Sequence, residues 1–168
     1  MKNGADNISI KQPSIMHADS KHLMAIYNIN NTVKILPDNN GICLGSVFEE
    51  GPWHEPGSHI PDGTYAMVRS NNKYIEAVSD VVASRTIWYY MDEEKCIVST
   101  SQRAIIMLLG NFELNENVIP WMLSAGNLGP GLSWDKRIKC VPPCSILRLN
   151  RTEWKIDIET QKVEFKSL

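Results

Sequence analysis

Short runs of apolar residues, several of them alternating with polar ones, dominate the first hundred positions of the chain. Runs of this kind, bounded by glycine, asparagine, serine and proline, are typical of β-strands joined by tight turns. Residues 49–62 are rich in proline and glycine and are predicted to form a loop. The pattern predicts one single strand and three hairpins: 41–48, then 22–28 with 32–36, 64–69 with 74–78, and 86–90 with 95–99.

The periodicity changes after residue 100. An almost uninterrupted apolar run follows, and it predicts a helix over 101–109. Thr100 and Ser101 are both suitable N-caps, since a hydroxyl oxygen there can accept a hydrogen bond from a free backbone N–H. Gly110 is the predicted end of this helix, because glycine enters the left-handed C-terminal conformation at little cost.

A second helix is predicted over 116–124, with Asn115 as its cap and an end near Gly126. The remaining tail returns to strand-like composition. Three strands are predicted there: 145–149, 153–158 and 162–165. Strands therefore predominate, with two central helices, which indicates an α+β fold whose helices cover an antiparallel sheet.

Composition supports one soluble domain. The chain has 168 residues, of which 43% are hydrophobic and 21% charged, enough for a single well-buried core. We expect a polar leader at 1–20, either poorly ordered or adding a strand, followed by one domain over 21–168. The net charge of −2 disfavours nucleic acid and anionic membranes as partners. The absence of a long apolar segment or a secretory signal, with only four cysteines, favours a cytoplasmic protein with reduced thiols.

Four segments between residues 62 and 149 occur in the order and spacing of a known family. They read DGTYAMV, DVVASRTIWYY, VSTSQRAIIMLLG and IKCVPPCSILRL. Together they resemble the second half of the N-terminal domain of the asparagine synthetase family, the class II glutamine amidotransferase domain also found in β-lactam synthetases and lasso-peptide cyclases. The resemblance implies the four-layer α-β-β-α sandwich of antiparallel sheets seen in N-terminal-nucleophile hydrolases.

The chemistry of that family depends on residues that this chain lacks. Lys2 stands where the nucleophilic cysteine is expected, and no cysteine precedes Cys43. Leu44 takes the place of the asparagine that stabilises the oxyanion. The interval 49–62 is too short for the family's helix and its ammonium-binding acid, and the first arginine that could grip a glutamine carboxylate is Arg69. The resemblance thus implies a domain without glutaminase activity and without catalytic residues.

The resemblance implies an inherited cleft between strand 43–47 and the hairpin that carries residues 80–89. It should be apolar, and either filled by side chains or occupied by the leader. The charged residues inside otherwise apolar elements are expected to form a structural ion pair or hydrogen-bond set rather than a ligand site. The candidates that line the cleft or support it are Leu44, Gly45, Asp80, Arg85, Tyr89 and Arg103.

The sequence also raises three other kinds of chemistry: a reactive cysteine, a zinc site and a phosphate loop. Cys43 and Cys96 lie in apolar strands, whereas Cys140 and Cys144 flank a proline turn; inert thiols are expected, although the reactivity of each is left open. Pairing the two cysteines with His54 and His59 would give four zinc ligands, but their spacing does not match common structural sites, and no metal site is predicted. The segment GNLGPG lacks the Lys-Ser/Thr of a phosphate loop and is expected to be a connection.

The family resemblance implies a degenerate, non-glutaminase amidotransferase-like domain or subunit of an ATP-dependent, asparagine-synthetase-type amide-forming system, in peptide or natural-product biosynthesis. No cofactor is expected on this chain, which alone is expected to lack activity; ATP and Mg²⁺ would bind the partner synthetase domain. A peptide or small molecule is a further candidate ligand. The partner-facing candidates are Ile119, Trp121, Met122 and Leu123. The alternative is a free-standing binding or regulatory module.

Overall fold

Strands predominate in the part of the chain that the computed structural model describes, residues 14–18, 21–27 and 31–163. The strands are β1 (Ser14–Ala18), β2 (Leu23–Ile26), β3 (Val33–Ile35), β4 (Gly41–Val47), β5 (Gly63–Ser70), β6 (Tyr74–Ser79), β7 (Trp88–Met91), β8 (Cys96–Ser99), β9 (Lys139–Cys140), β10 (Ser145–Asn150) and β11 (Lys155–Thr160). The helices are α1 (Gln102–Leu109) and α2 (Val118–Ala125). The predicted α+β class, mostly antiparallel sheet with two helices, is confirmed.

Six strands form the central sheet, in the order β11-β10-β6-β5-β4-β3, and each neighbouring pair is antiparallel. The predicted hairpin 64–69 with 74–78 is confirmed as β5 and β6. Its turn is stabilised by Asn71, whose Oδ1 accepts the backbone N–H groups of Lys73 at 2.9 Å and Tyr74 at 2.7 Å. This is the local bonding for which asparagine is favoured in turns.

A second, three-stranded sheet has the order β8-β7-β9. The predicted hairpin 86–90 with 95–99 is confirmed as β7 and β8. Asp92 Oδ1 accepts the backbone N–H groups of Glu94 and Lys95 at 2.8 and 2.7 Å, which fixes the turn. Strand β9 was not predicted, because two residues are too few to show a periodicity.

The predicted hairpin 22–28 with 32–36 is wrong. Strand β2 pairs with β1, and β3 pairs with β4. Sequence pattern locates strands but does not choose partners, and two features decide here. Residues 14–18 of the leader supply an added strand beside β2, and a single 3₁₀ turn at Pro37–Asn39 joins β3 directly to β4. The rest of the leader, and residues 28–30 of the predicted turn, lie outside the described residues.

The tail differs from its prediction at two points. Strand β11 begins at Lys155 rather than at residue 153, because Trp154 adopts a left-handed backbone conformation with φ of 53° in the preceding turn. The predicted strand 162–165 is wrong over 162–163, which carry no strand, and its last two residues lie outside the described part. Pairing with β10 ends soon after Thr160, so nothing extends the ladder there.

Two apolar clusters pack on opposite faces of the central sheet. One face packs against the three-stranded sheet through a cluster of buried residues: Ala66, Ala77, Ile87, Val141 and Leu147. The other cluster has Cys43, Tyr65 and Met67 at its centre and is covered by loop residues Trp53 and Ile60. Helix α1 packs against β7 and β8 and buries Ile105 completely. The layers are thus loop, central sheet, second sheet and α1.

Both helices end where glycine was predicted to end them, at Gly110 and Gly126, each in a left-handed conformation. Of the two predicted caps for α1, the structure uses Ser101, whose Oγ accepts the Ala104 N–H at 3.4 Å. Helix α2 begins two residues later than predicted. Asn115 instead forms a turn, since its side-chain oxygen accepts the N–H of residue 117.

Candidate functional site

The predicted cleft residues on β4 lie on opposite faces of the central sheet. Cys43 is fully buried beneath loop residues Trp53 and Ile60, so that face is filled by side chains. Leu44 is half-buried on the other face, opposite Ala66, which belongs to the cluster between the sheets. The alternation of side chains along a strand makes this separation unavoidable. Leu44 therefore does not share a site with Cys43.

Gly45 lies at a close approach between two strands. Its φ is +125°, and a Cβ at this position would lie 2.2 Å from the carbonyl oxygen of Thr64. A larger residue would therefore have to displace backbone. Tyr89, by contrast, is half-buried and packs against the cluster between the sheets. The surroundings of Gly45 and Tyr89 therefore indicate structural roles, in strand packing and in the core.

Asp80 organises the turn that follows β6. It is fully buried, and its carboxylate accepts the backbone N–H groups of Tyr65 at 2.7 Å, Val82 at 3.0 Å and Ser84 at 3.0 Å, with a further bond from the Ser84 hydroxyl. Burial opposes the negative charge, but these donors together outweigh it and lower the pKa of Asp80. Its own carbonyl accepts the N–H of Cys144 at 2.9 Å, which links the turn to β10. This is the structural hydrogen-bond set that was expected of Asp80.

Arg85 and Arg103 do not join that set. Both are exposed, and neither forms a salt bridge with a described residue. Arg85 follows the Asp80 turn, and Arg103 lies in the first turn of α1. The ion-pair form of the prediction is therefore wrong. Both arginines have apolar neighbours in the sequence, but their side chains are exposed in the folded protein.

A second set of charged residues, separate from the Asp80 turn, consists of the buried pair Arg69 and Glu76 and the partly buried Arg148. Arg69 and Glu76 are both fully buried, and Arg69 Nε donates to Glu76 Oε2 at 2.7 Å. Arg148 Nε donates to the other oxygen, Oε1, at 2.6 Å, and this bond raises the pKa of Arg148. The carboxylate is thus held between two guanidinium groups, as buried charges require.

Arg69 and Glu76 also hold the loop 49–62 on the sheet. Arg69 donates to the carbonyl oxygens of Trp53, of Ser58 at 2.5 Å, and of His59 at 3.4 Å. Both oxygens of Glu76 lie 3.1 Å from the backbone nitrogen of Gly57, which donates to them. A loop without regular structure thereby satisfies its backbone through side chains of central strands.

Sequence reasoning missed this network, although a signal for it existed. Arg69 and Glu76 lie inside apolar runs on either side of the predicted turn 70–73, and simple hairpin pairing places them opposite each other, as observed. Two opposite charges facing across apolar strands indicate a buried ion pair. The role of Arg148 depends on which strand lies beside β6, which the pattern does not reveal.

The four cysteines share one electrostatic property: burial raises the pKa of each thiol. The pKa is raised to about 11 at Cys43 and at Cys96, and in the same direction at Cys140 and Cys144. A nucleophilic cysteine requires the opposite shift, since the thiolate is the reactive form. None of the four therefore carries an activated thiol in this structure.

Two of the four side chains that were considered as zinc ligands, His59 and Cys144, are already engaged within the protein. His59 Nε2 lies 2.6 Å from Glu49 Oε1, and Cys144 is buried in the cluster under the loop. Within the described residues, no group of three or more His, Cys, Asp or Glu side chains is placed to hold a metal ion.

Exposed apolar side chains occur on both helices and on the connecting segments near them, and we call this set of residues the helix face. Nine large apolar side chains contribute to it, each with more than a third of its surface exposed: Met107, Leu108, Phe112, Leu114, Ile119, Trp121, Met122, Leu123 and Trp134. Leu123 is 84% exposed. The helix face includes all four residues predicted to face a partner.

Hydrogen bonds around Asp135 join the two segments that flank α2. Asp135 is fully buried and accepts two bonds from the Arg137 guanidinium, at 2.9 and 2.7 Å, as well as the Glu113 backbone N–H at 2.9 Å. The Arg137 bonds lower the pKa of Asp135 to about 2. Trp134 N donates to Gln102 Oε1 at 2.9 Å, which joins this segment to α1. These bonds fix the segments before and after α2 relative to each other and to α1.

Comparison with family models finds none that matches the chain, and comparison with curated proteins finds no match either. No helix in the described part of the chain is long and apolar enough to cross a lipid bilayer.

Proposed function

We propose that this chain is a degenerate amidotransferase-like domain or subunit of an ATP-dependent, asparagine-synthetase-type amide-forming system, in peptide or natural-product biosynthesis. Its role is assembly or substrate positioning, without glutamine hydrolysis. ATP and Mg²⁺ bind the synthetase partner, which carries the nucleotide loop that this sequence lacks. The observation that carries the proposal is the helix face, which leaves nine large apolar side chains in solvent.

The layer order supports a relationship to the N-terminal-nucleophile hydrolase sandwich. Two antiparallel sheets pack face to face, and α1 covers the outer face of the second sheet. We propose that loop 49–62 takes the place of the helical layer on the remaining face. The buried pair Arg69 and Glu76 holds this replacement on the sheet.

The partner is proposed from the number and exposure of the helix-face side chains. Exposed large apolar residues, where they are grouped on a soluble protein, usually mark interaction sites. Aromatic residues and methionine are also enriched at interfaces, and this surface holds Trp121, Trp134, Phe112, Met107 and Met122. An apolar face of this kind fits a stable subunit contact better than the recognition of a polar metabolite.

The test is reconstitution with a candidate synthetase from the native host, identified by its Ser-Gly-Gly-x-Asp-Ser loop. We expect a complex in size-exclusion chromatography that Leu123→Asp and Trp121→Asp abolish. Phe48→Asp is the matched control, since Phe48 is 72% exposed and lies outside the helix face. A complex unaffected by the Leu123 and Trp121 substitutions would contradict the assigned surface. A monomer with no such partner would favour the alternative, a free-standing binding module.

A further inference from the structure

A groove opens between the two sheets, with walls from β7, β9 and β11 and from the turn before β11. Its volume is about 490 Å³, and none of its described lining residues belongs to the helix face. A volume of about 300–1,000 Å³, with a mostly apolar lining and a few polar groups, is usual for small-molecule sites. The groove is therefore large enough for a small organic ligand.

Most of the groove lining is apolar. Ile156 and Ile158 alternate with exposed residues of β11 and pack against the cluster between the sheets. Met91 adds an apolar side chain from β7. Trp154 Nε1 donates to the carbonyl oxygen of Asp92 at 2.9 Å, which ties the turn before β11 to the turn after β7. This nitrogen is the only donor of the indole, so the ring offers the groove an apolar surface.

Two polar groups lie side by side in this apolar lining, the ammonium of Lys139 and the hydroxyl of Tyr89. The two residues are directly paired across β9 and β7, so their side chains leave the sheet on the same face. Residues paired in this way have Cβ atoms about 4.5–5.5 Å apart. Both residues line the groove. Their polar groups can therefore reach the same group of a ligand.

Neither polar group is engaged within the described part of the chain. Lys139 is exposed and forms no salt bridge there, and the Tyr89 hydroxyl forms no hydrogen bond there, although the Tyr89 ring packs in the core. Burial raises the pKa of Tyr89, so its hydroxyl stays protonated at neutral pH and can donate. A hydroxyl donor beside an ammonium suits an anionic oxygen.

No carboxylate opposes the Lys139 charge among the described residues that line the groove. Asp157 and Glu159 alternate with the two isoleucines, so they project from the opposite face of the central sheet. Lys155 also borders the groove, but the same alternation places its side chain on the face of those two carboxylates. Selection by charge in the groove therefore depends on Lys139.

We infer that this groove binds a small organic anion, namely an apolar body that carries one carboxylate. The carboxylate accepts hydrogen bonds from Lys139 Nζ and Tyr89 Oη, and the apolar body packs on Met91, Ile156 and Ile158. Burial of the apolar body gives affinity, and the two donors select an anion over a cation. The inference goes beyond the proposed function and uses no residue of the helix face.

The probes are 4-phenylbutyrate, its primary amide and 4-phenylbutylamine, which share one carbon skeleton and carry a negative, a zero and a positive charge. Titrations are followed by the backbone amide signals in NMR at low salt. The carboxylate should bind most tightly, with Kd on the order of millimolar, as expected for about 12 non-hydrogen atoms at about 0.3 kcal/mol each. The signals that shift should be those of β7, β9 and β11.

Three substitutions test the role of Lys139. Lys139→Gln should weaken binding of the carboxylate by about threefold to tenfold and leave binding of the amide unchanged. Lys139→Glu should reverse the preference, so that the amine binds more tightly than the carboxylate. Lys155→Gln is the matched control, because Lys155 borders the same groove with its side chain on the opposite face of the sheet. It should leave binding of the carboxylate unchanged.

Four results would each overturn the inference. They are equal binding of the carboxylate and the amine to the wild type, an equal loss in Lys155→Gln and Lys139→Gln, shifts confined to α1 and α2, and no binding at tens of millimolar probe. All four leave the reconstitution test of the helix face unaffected, so the two proposals fail separately.

Discussion

Arg69 and Glu76 face each other on β5 and β6, and their charged groups meet at 2.7 Å with no side-chain surface exposed to solvent. The desolvation of two charges often exceeds their mutual attraction, so a buried pair is weak evidence for stability by itself. In this fold the pair has additional partners, namely Arg148 and backbone groups of loop 49–62. We therefore interpret the main role of the Arg69–Glu76 pair as holding loop 49–62 on the central sheet.

Arg69→Met should destabilise the protein by about 3–5 kcal/mol. The substitution leaves the buried Glu76 carboxylate with only one of its two guanidinium partners, and the loop carbonyl oxygens lose their hydrogen-bond donor. Chemical denaturation measures the change in the free energy of unfolding. Loop 49–62 should also become sensitive to limited proteolysis. Arg85→Met is the control: Arg85 is exposed, and a change within about 0.5 kcal/mol is expected. Equal effects of the two substitutions would contradict the assigned network.

Asp135 should make stability depend on pH in the acid range. Its pKa is lowered from 3.8 to about 2, so the folded state favours the charged form. The stabilisation, up to about 2 kcal/mol, is then fully present above pH 4 and is lost as the pH falls from about 4 to about 2. The measurement is the free energy of unfolding of wild type and Asp135→Asn at several pH values. The difference between them should shrink over that window; a constant difference would refute the prediction.

The protein should release no ammonia from glutamine. Burial raises the pKa of the Cys43 thiol to about 11, and the loop residues Trp53 and Ile60 cover it. At pH 7.5 almost all of this thiol is therefore protonated and out of reach of substrate. A coupled ammonia assay with purified protein should give the same background for wild type and Cys43→Ala. Turnover that disappears in the alanine variant would show that this site is a nucleophile after all.

Leu44→Asn should restore no hydrolysis and should cost about 1 kcal/mol, at the lower end of the penalty for burying an unpaired amide. The reason is that Leu44 is only half-buried, so the new amide can reach water. Gly45→Ala is an informative comparison on the same strand. Its added Cβ would lie 2.2 Å from Thr64 O, at a φ of +125°, so a larger loss is expected. Thermal denaturation of both variants decides; a larger loss at position 44 would mean that the amide is fully enclosed.

The outline of the fold could be read from local pattern. Alternation and turn residues located β5 with β6 and β7 with β8, and the glycines that end both helices were identified correctly. These features depend on a few neighbouring residues. Pairings between distant segments were missed, since β1 displaced β3 as the partner of β2, and a 3₁₀ turn joined β3 to β4.

The candidate site was harder to predict for the same reason. Asp80 was expected in a structural hydrogen-bond set and lies in one, because its donors follow within four residues or come from the adjacent strand β5. Arg85 and Arg103 were grouped with it only because apolar residues surround them in sequence. The buried carboxylate of Glu76 pairs with Arg69 on the neighbouring strand and also with Arg148, 72 positions further along the chain. Only the order of strands in the sheet brings these two together.

The attachment of loop 49–62 has a practical consequence for altering this protein. Arg69 and Glu76 hold the loop through its backbone carbonyls and one backbone N–H, groups that almost every amino acid possesses. The identities of residues 54–56 are therefore largely unconstrained, provided that Gly57 keeps its φ of +96°. Libraries randomised at these three positions should retain the native scaffold. The loop could then display new binding sequences above a sheet that does not need to be redesigned.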